Sequence, residues 1–285
     1  MAAKPKAKAE ATKKPATKKA SAGADAKTIK DVADKLFAAA QSGQAIPPVR
    51  DLLPERDVDA AYRVQEINTK RALAAGRRLV GRKIGLTAKV VQKQLGVDEP
   101  DFGMLFADMA LADGEEVARG RLIAPKVEAE VAFVMGKDIT TEQPTIADIL
   151  RAVDFVIPSI EIVDSRIADW KISIVDTVAD NASAGLFTLG CEPKLLRKLD
   201  LRHCGMVIES KGEPICVGAG AAAMGNPVVA MLWLARTMAR VGRPLKAGDV
   251  VMSGSLGPMT PVAWGDVVEA RISGLGSVRA VFAKE

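Results

Sequence analysis

The stretch KVEAEVAFVM, residues 126–135, sets two carboxylates, Glu128 and Glu130, inside an apolar run that has the composition of a β-strand. Alternate residues of a strand share a face, so both side chains point the same way, with backbones roughly 6.7 Å apart. A buried carboxylate without a partner costs several kcal/mol. The stretch therefore predicts a strand whose carboxylates share a hard divalent metal, meet a basic partner, or face solvent.

A second β-branched run with embedded acids follows at residues 157–166, IPSIEIVDSR, which contains Glu161 and Asp164. A third carboxylate completes a site for Mg²⁺ or Mn²⁺, cations that prefer oxygen ligands and keep positions open for water or substrate. The spacing does not choose between Glu161 and Asp164. Zinc is disfavoured, because the chain has a single histidine, His203, and its three cysteines lack CxxC spacing.

The net charge of +5 is unevenly distributed along the chain. Residues 1–30 hold nine lysines against Glu10 and Asp25, which amounts to +7, so the rest of the chain sums to −2. We predict that residues 1–27, rich in Ala, Lys, Pro and Thr, form a disordered tail. A noncatalytic polyanion-binding protein that acts through this tail is the alternative from a different class. The charge of the remaining chain argues against it, and we expect no nucleic-acid partner beyond weak tail contacts.

Several other function classes find no support in the sequence. The chain has no run of about 18 apolar residues, which argues against a membrane span. Three cysteines and no secretory signal predict a reducing compartment, and hence a cytoplasmic protein. Gly218-Ala-Gly220 lacks the third glycine of a dinucleotide site, and Gly254-Ser-Leu-Gly257 lacks the spacing of a nucleophile elbow.

Apolar residues at helical spacing predict four helices, over residues 28–43, 57–76, 146–153 and 226–241. The first two helices form a small N-terminal helical region, residues 28–78. From residue 79 to 285 we predict a β-rich, metal-binding catalytic domain.

Short β-rich segments dominate this second region. Predicted strands cover residues 79–84, 110–111, 127–135, 155–163, 184–189, 204–209, 214–217, 250–253, 267–272 and 277–282. Glycine-containing turns at 210–212 and 273–276 predict two hairpins. Because the strands do not alternate strictly with helices, the sequence predicts an α+β fold with a mixed or rolled sheet.

From about residue 31 to 285 the chain resembles the fumarylacetoacetate hydrolase superfamily, in its branch of 2-keto-4-pentenoate (2-hydroxypenta-2,4-dienoate) hydratases and 4-oxalocrotonate decarboxylases. The segments that carry the resemblance are VGRKIGLT (80–87), LGVDEPDFG (95–103), VEAEVAF (127–133), IEIVDSRI (160–167), ADNASAGLF (179–187), GNPV (225–228) and GDVVMSGSLGPMTPV (248–262). The resemblance implies a β-roll core of the type found in this superfamily.

The resemblance also implies the roles of particular side chains. The implied metal ligands are Glu128, Glu130 and Glu161, and the implied substrate-handling residues are Lys83, Asp101 and Ser183. We assign Lys83 and Asp101 the proton transfers and Ser183 a substrate-binding role. Two further substrate-binding residues are predicted from their own chemistry, Asn181 and Ser255. The resemblance thereby selects Glu161 over Asp164 as the third metal ligand. Asp164 is then expected to orient a metal ligand or to pair with Arg166.

Three local expectations accompany these roles. Lys83, partly desolvated beside a cation, is expected to have a lowered pKa. Asp101, in the segment Pro100-Asp-Phe-Gly103, is expected in a turn. The backbone N–H groups of residues 254–258 are expected to form an anion nest.

The activity implied by the resemblance is the Mg²⁺- or Mn²⁺-dependent hydration of 2-hydroxypenta-2,4-dienoate to 4-hydroxy-2-oxopentanoate, a hydro-lyase reaction of aromatic-compound catabolism. The alternative within the superfamily is decarboxylation of 4-oxalocrotonate (2-oxohex-3-enedioate). In either case the partner is a small 2-oxo or 2-hydroxydienoate substrate, and a homo-oligomer without membrane association is expected.

Overall fold

A computed structural model of the chain describes residues 23–284, so most of the predicted tail lies outside the described residues. Six α-helices occur within this range: α1 (Ala26–Ser42), α2 (Val58–Ala74), α3 (Lys89–Leu95), α4 (Ile146–Ala152), α5 (Ile174–Ala179) and α6 (Pro227–Arg240). The four predicted helices are all present. The additional helices α3 and α5, of seven and six residues, were not predicted.

The first helix begins slightly earlier than predicted, at Ala26, because the side chain of Asp25 caps it. The Asp25 carboxylate accepts a hydrogen bond from the backbone N–H of Thr28 at 2.7 Å, which satisfies one of the free donors of the first turn.

Thirteen strands occur in the described part of the chain: β1 (Leu79–Gly85), β2 (Asp101–Phe106), β3 (Ala110–Leu111), β4 (Glu116–Val117), β5 (Lys126–Met135), β6 (Val153–Val163), β7 (Ala184–Leu189), β8 (Gly205–Ser210), β9 (Glu213–Ala219), β10 (Val250–Met252), β11 (Thr260–Pro261), β12 (Val267–Ile272) and β13 (Gly276–Phe282). All ten predicted strands are present. Strands β2, β4 and β11 were not predicted.

The strands form two mixed sheets. The first has eight strands in the order β2-β1-β10-β5-β6-β7-β3, with β11 paired to β5, and the second has five in the order β4-β13-β12-β8-β9. Most pairs are antiparallel, but β1 runs parallel to β10, β3 to β7 and β4 to β13. Strands β12 and β13 of the second sheet pack against β6. The prediction of an α+β fold with mixed sheets is confirmed, as are the β8–β9 and β12–β13 hairpins.

The helices of the N-terminal region build a hydrophobic cluster of their own. Leu36 of α1, Val64 of α2 and Val178 of α5 are buried together in it. Since α5 follows β6 in the chain, the N-terminal helices pack on an element of the β-rich region. The domain boundary near residue 79 stays a prediction. Within residues 23–284, every helix is too short or too polar to cross a membrane.

Candidate active site

Strand β5 separates its side chains into two environments by simple alternation. Val127, Ala129 and Val131 are fully buried in the main hydrophobic core. Glu128 and Glu130 project from the opposite face of the sheet, where Glu130 is completely buried and Glu128 is half-buried. The core face of β5 is therefore entirely apolar, and its carboxylates lie on the opposite face.

Strand β6 adds a third carboxylate to the same face. In the antiparallel pair of β5 and β6, Glu128 lies directly opposite Glu161, and Glu130 lies opposite Ser159. Side chains of opposed residues share a face, so the three glutamates converge. One carboxylate oxygen from each lies within 4.8 Å of the others. The structure thus brings together the three residues predicted as metal ligands.

These carboxylates are electrostatically unsatisfied by the protein alone. Burial and the neighbouring glutamates raise the pKa of Glu128 to about 7 and that of Glu130 well above its ordinary value; burial also raises the pKa of Glu161. Among the described residues, Glu130 Oε1 and Glu161 Oε2 have no hydrogen-bond donor, and Glu161 Oε1 has only the Lys83 ammonium, 3.2 Å away. A set of three buried oxygen donors with free lone pairs fits a hard divalent cation such as Mg²⁺ or Mn²⁺.

Strand register also brings Lys83 to the carboxylate face. Lys83 of β1 is aligned with Met252 of β10, which is in turn aligned with Ala132 of β5, a residue on the same face as Glu130. The Lys83 ammonium lies 3.2 Å from Glu161 Oε1 and donates a hydrogen bond to the backbone carbonyl of Ala182 at 2.9 Å. Its side chain is buried.

The carboxylates around Lys83 determine the direction of its pKa shift. Burial lowers this pKa, but the surrounding carboxylates, Glu161 first, then Asp101, Glu128 and Glu130, outweigh burial and raise it above the ordinary value. The expectation of a lowered pKa refers to Lys83 beside a bound cation and stays a prediction; without the cation, the pKa of Lys83 is raised. In that state Lys83 is an ammonium ion that neutralises part of the charge of the cluster.

Asp101 is the first residue of strand β2, so the prediction of a turn at this position is wrong. The strand pairs Asp101 with Gly85 of β1, which places its carboxyl beside Lys83. A Cβ atom on Gly85 would lie 2.1 Å from Asp101 Oδ1 and 3.3 Å from Lys83 Nζ, so the absence of a side chain at Gly85 makes room for both groups. Burial raises the pKa of Asp101, an effect that Lys83 partly offsets.

Asn181 and Ser183 belong to a turn that lies against the carboxylate face. The side-chain amide of Asn181 donates to the Met104 carbonyl at 2.9 Å and accepts from the Met104 N–H at 2.7 Å. The hydroxyl of Ser183 is 3.1 Å from that of Thr177. The turn contacts the site through the Ala182 carbonyl, which accepts from Lys83, and the Asn181 amide uses its oxygen and one of its two N–H donors on strand β2.

Ser255 lies in the loop that follows β10 and closes against the glutamates. The backbone N–H of Gly254 donates to Glu130 Oε2 at 2.8 Å. Ser255 Oγ donates to the carbonyl of Gly257 at 2.6 Å. Gly254 is therefore the residue of this segment whose N–H binds a carboxylate. The N–H groups of Leu256 and Gly257 donate to the Ala129 carbonyl and to Ser255 Oγ, so these groups do not form the expected anion nest.

Two basic residues lie near the site, of which sequence reasoning missed Lys126 and named Arg166 only as a partner of Asp164. Lys126 shares the i, i+2 alternation with Glu128, and its ammonium lies 4.3 Å from the ring centroid of Trp170. Arg166 pairs mainly with buried Asp180, at 2.5 Å, and only distantly with Asp164, at 3.8 Å. The alternation of β5 was a signal that could have identified Lys126; no sequence spacing indicated Asp180.

A separate cleft of about 1160 Å³ opens between α2 and α6. Tyr62 and Phe102 stack in its wall, with ring centroids 4.6 Å apart, and Met104 lines it. On β2, Phe102 and Met104 point to the face opposite Asp101. The cleft is therefore distinct from the carboxylate face.

Comparison with known proteins identifies relatives along nearly the whole chain. The family described as "Fumarylacetoacetate (FAA) hydrolase C-terminal" matches residues 69–283. A TodF product hydratase from Pseudomonas putida F1 is 60% identical over 256 residues, which cover 90% of this chain and 96% of the relative. A 2-keto-4-pentenoate hydratase from Paraburkholderia xenovorans is 56% identical over 252 residues, covering 88% of this chain and 94% of the relative.

A solved structure confirms the predicted superfamily fold. It is a 4-oxalocrotonate decarboxylase from Pseudomonas putida G7, complexed with magnesium and adipate. The two structures superpose with a TM-score of 0.87 at 36% sequence identity, covering 91% of this chain and 98% of the other.

Proposed function

We propose a function from one established premise: the chain belongs to the fumarylacetoacetate hydrolase family. The protein is a hydro-lyase that converts 2-hydroxypenta-2,4-dienoate (2-keto-4-pentenoate) to 4-hydroxy-2-oxopentanoate. The names of relatives at 56% and 60% identity support this substrate. The observation that carries the proposal is the convergence of three glutamates, Lys83 and Asp101 on one face of the first sheet.

Glu128, Glu130 and Glu161 are the residues that would hold a divalent cation, which we propose to be Mg²⁺ or Mn²⁺. When bound, such a cation supplies Lewis-acid polarisation of the 2-oxygen of the substrate. The free oxygens of Glu130 and Glu161 support this assignment, because buried carboxylates without a donor require a positive partner.

Lys83 and Asp101 are assigned the proton transfers. One proton leaves the C2 hydroxyl of the dienol and one is added at C5, which gives a 2-oxo-3-enoate whose C4 is electrophilic. Water then adds its oxygen at C4 and a proton at C3. Buried acid and base groups that face each other across a small gap suit such transfers, and the gap above Gly85 supports the assignment of this pair.

The remaining predicted features form part of the same proposal. Ser183, Ser255 and Asn181 border the site, and the two serines carry hydroxyl groups suited to a substrate carboxylate. We further propose a cytoplasmic homo-oligomer that acts in the breakdown of aromatic compounds, as the superfamily branch implies.

Decarboxylation of 4-oxalocrotonate is the second candidate, since a decarboxylase of that name has a similar structure at 36% identity. The two reactions differ at the far end of the substrate, which is a second carboxylate in one and a terminal methylene in the other. The higher identity to the hydratases favours hydration.

An ultraviolet assay tests both candidates. We expect the absorbance of 2-hydroxypenta-2,4-dienoate to decay with Mg²⁺ or Mn²⁺ present and to persist with EDTA. Mass spectrometry of the product distinguishes the gain of one water from the loss of CO₂ when 4-oxalocrotonate is supplied instead. Turnover that is unaffected by EDTA would contradict the metal assignment, and decarboxylation without hydration would favour the second candidate.

A further inference from the structure

Three consecutive residues beside the site adopt left-handed backbone conformations. Asn181, Ala182 and Ser183 have φ values of 53°, 52° and 54°, and none of them is glycine. Side chains with a Cβ atom disfavour this region, and a run of three is rare. Such a conformation persists only where its surroundings determine it strongly. We call residues 181–183 the left-handed turn.

One arginine connects both ends of the left-handed turn. The guanidinium of Arg166 donates to the Asp180 carboxylate at 2.5 Å and to the Asp180 carbonyl at 2.8 Å. It also donates to the carbonyl of Ala184 at 3.1 Å. The planar group of donors in arginine suits this arrangement, since one side chain contacts the residue before the turn and the residue after it.

A second set of contacts fixes the turn to strand β2. The amide of Asn181 forms two hydrogen bonds with the backbone of Met104, as a neighbouring strand would. The Asn181 carbonyl also approaches Gly103 so closely that a Cβ atom there would lie 2.3 Å from it. The position of the turn relative to β2 is therefore determined by Asn181 and by the missing side chain of Gly103.

The left-handed turn determines where Lys83 is held. Its central residue, Ala182, accepts a hydrogen bond from the Lys83 ammonium at 2.9 Å, while Glu161 lies 3.2 Å from the same nitrogen. Lys83 is on β1, the neighbour of β2, so a turn attached to β2 is attached to the strand pair that carries both proton-transfer candidates.

We propose that Asn181 and Arg166 are positioning residues: they hold the left-handed turn so that the Ala182 carbonyl fixes the Lys83 ammonium beside Glu161. The inference rests on the proposed hydration activity and assigns Asn181 a role other than substrate binding. Neither side chain needs to touch the substrate, because each acts through the backbone of the turn.

Two substitutions of Asn181 test the proposal, with one matched control. Asn181→Ala removes both bonds to Met104. Asn181→Gly removes the same bonds but permits the left-handed conformation without strain, so it is expected to fold even if the alanine variant does not. The control is Asn68→Ala, which removes an amide hydrogen bond of 3.0 Å to the Ala33 carbonyl between α1 and α2, away from the site.

We expect kcat to fall by about tenfold or more in both Asn181 variants, because Lys83 is misplaced, while KM stays within about twofold. Asn68→Ala should keep the wild-type kcat. If KM rises while kcat is retained, Asn181 binds substrate and the proposal is wrong. If both constants are retained, the contacts of Asn181 are merely structural and the proposal is equally wrong.

Hydrogen exchange gives a readout that does not require activity. The backbone N–H groups of Ser183 and Asp164 donate to the carbonyls of Asp180 and Ser183, respectively. We expect peptides that contain these two amides to exchange faster in the Asn181 variants and unchanged in Asn68→Ala. Unchanged exchange in the Asn181 variants would overturn the proposal that Asn181 holds the left-handed turn. If the wild type and Asn68→Ala both fail to hydrate the dienoate, the proposed function is wrong, while exchange still decides the role of the turn.

Discussion

Glu130 and Glu161 are completely buried, yet in the described chain Glu130 Oε1 and Glu161 Oε2 have no donor, and Glu161 Oε1 has only the Lys83 ammonium. Together with Glu128 they carry three negative charges when ionised, and Lys83 offsets one of them. One divalent cation neutralises the remaining two. Burial raises the pKa of Asp101, and Lys83 partly offsets this effect. Charge balance thus supports the proposal that the three glutamates hold a divalent cation.

At the residue scale, Lys83→Met separates proton transfer from metal binding. The substitution keeps an apolar stem of similar length and removes the ammonium, so we expect turnover to fall by about 10² or more. Affinity for Mg²⁺ should not decrease, because the ammonium competes with the cation for Glu161. Steady-state kinetics and calorimetric titration measure the two effects. The exposed lysine variant Lys137→Met is the control; weaker Mg²⁺ binding in Lys83→Met would contradict the assignment.

At the scale of elements, the alternation of β5 was readable in the sequence. Apolar residues at odd positions and glutamates at even ones predicted a strand with one carboxylate face, and the structure has it. Residue patterns cannot reveal which strands become neighbours. The register that aligns Lys83 with β10 and Asp101 with Gly85 depends on pairings distant in sequence.

Strand β2 shows why some elements were missed. Its start, Pro100-Asp-Phe-Gly103, has the residues of a turn, and every residue from Asp101 to Phe106 is buried, so no polar face alternates with an apolar one. The same reason applies to α5, whose six residues are all buried. The resemblance identified Asp101 and Lys83 as site residues, whereas their contacts are visible only in the structure.

The pairing of β1 with β2 makes Gly85 a sensitive position. In Gly85→Ala the new methyl group would lie 2.1 Å from Asp101 Oδ1, so Asp101 must move away from Lys83. We expect kcat to fall by about tenfold or more while the protein stays folded. Gly205→Ala is the matched control, because this strand glycine would only make an ordinary contact of 3.5 Å with Ser273 Oγ. Equal kcat values in the two variants would show that the gap above Gly85 is unimportant.

At the scale of the whole molecule, the two sheets form one core on one side of β5, and the charged site occupies the other side. Burial of the charged glutamates therefore lowers the free energy of unfolding of the whole protein. In the metal-free protein, the pKa of Glu128 is raised to about 7, and those of Glu130 and Glu161 are also raised. The native state then binds more protons than the unfolded state between the ordinary glutamate pKa and about 7, so stability falls as pH rises through this window.

Bound metal should reverse this pH dependence. A cation on the carboxylates favours their ionised form, so each folded-state pKa drops below the unfolded value and stability is instead lost as pH falls. We expect the gain in Tm on adding Mg²⁺ to be larger at pH 8 than at pH 5, by about 3 °C or more. Differential scanning calorimetry with EDTA or Mg²⁺ measures it. Glu130→Gln, which removes one buried charge at similar size, should melt higher than the wild type in EDTA at pH 8 and gain less from Mg²⁺. A gain in Tm on adding Mg²⁺ that is independent of pH and equal in Glu130→Gln would show that the cation binds elsewhere on the molecule.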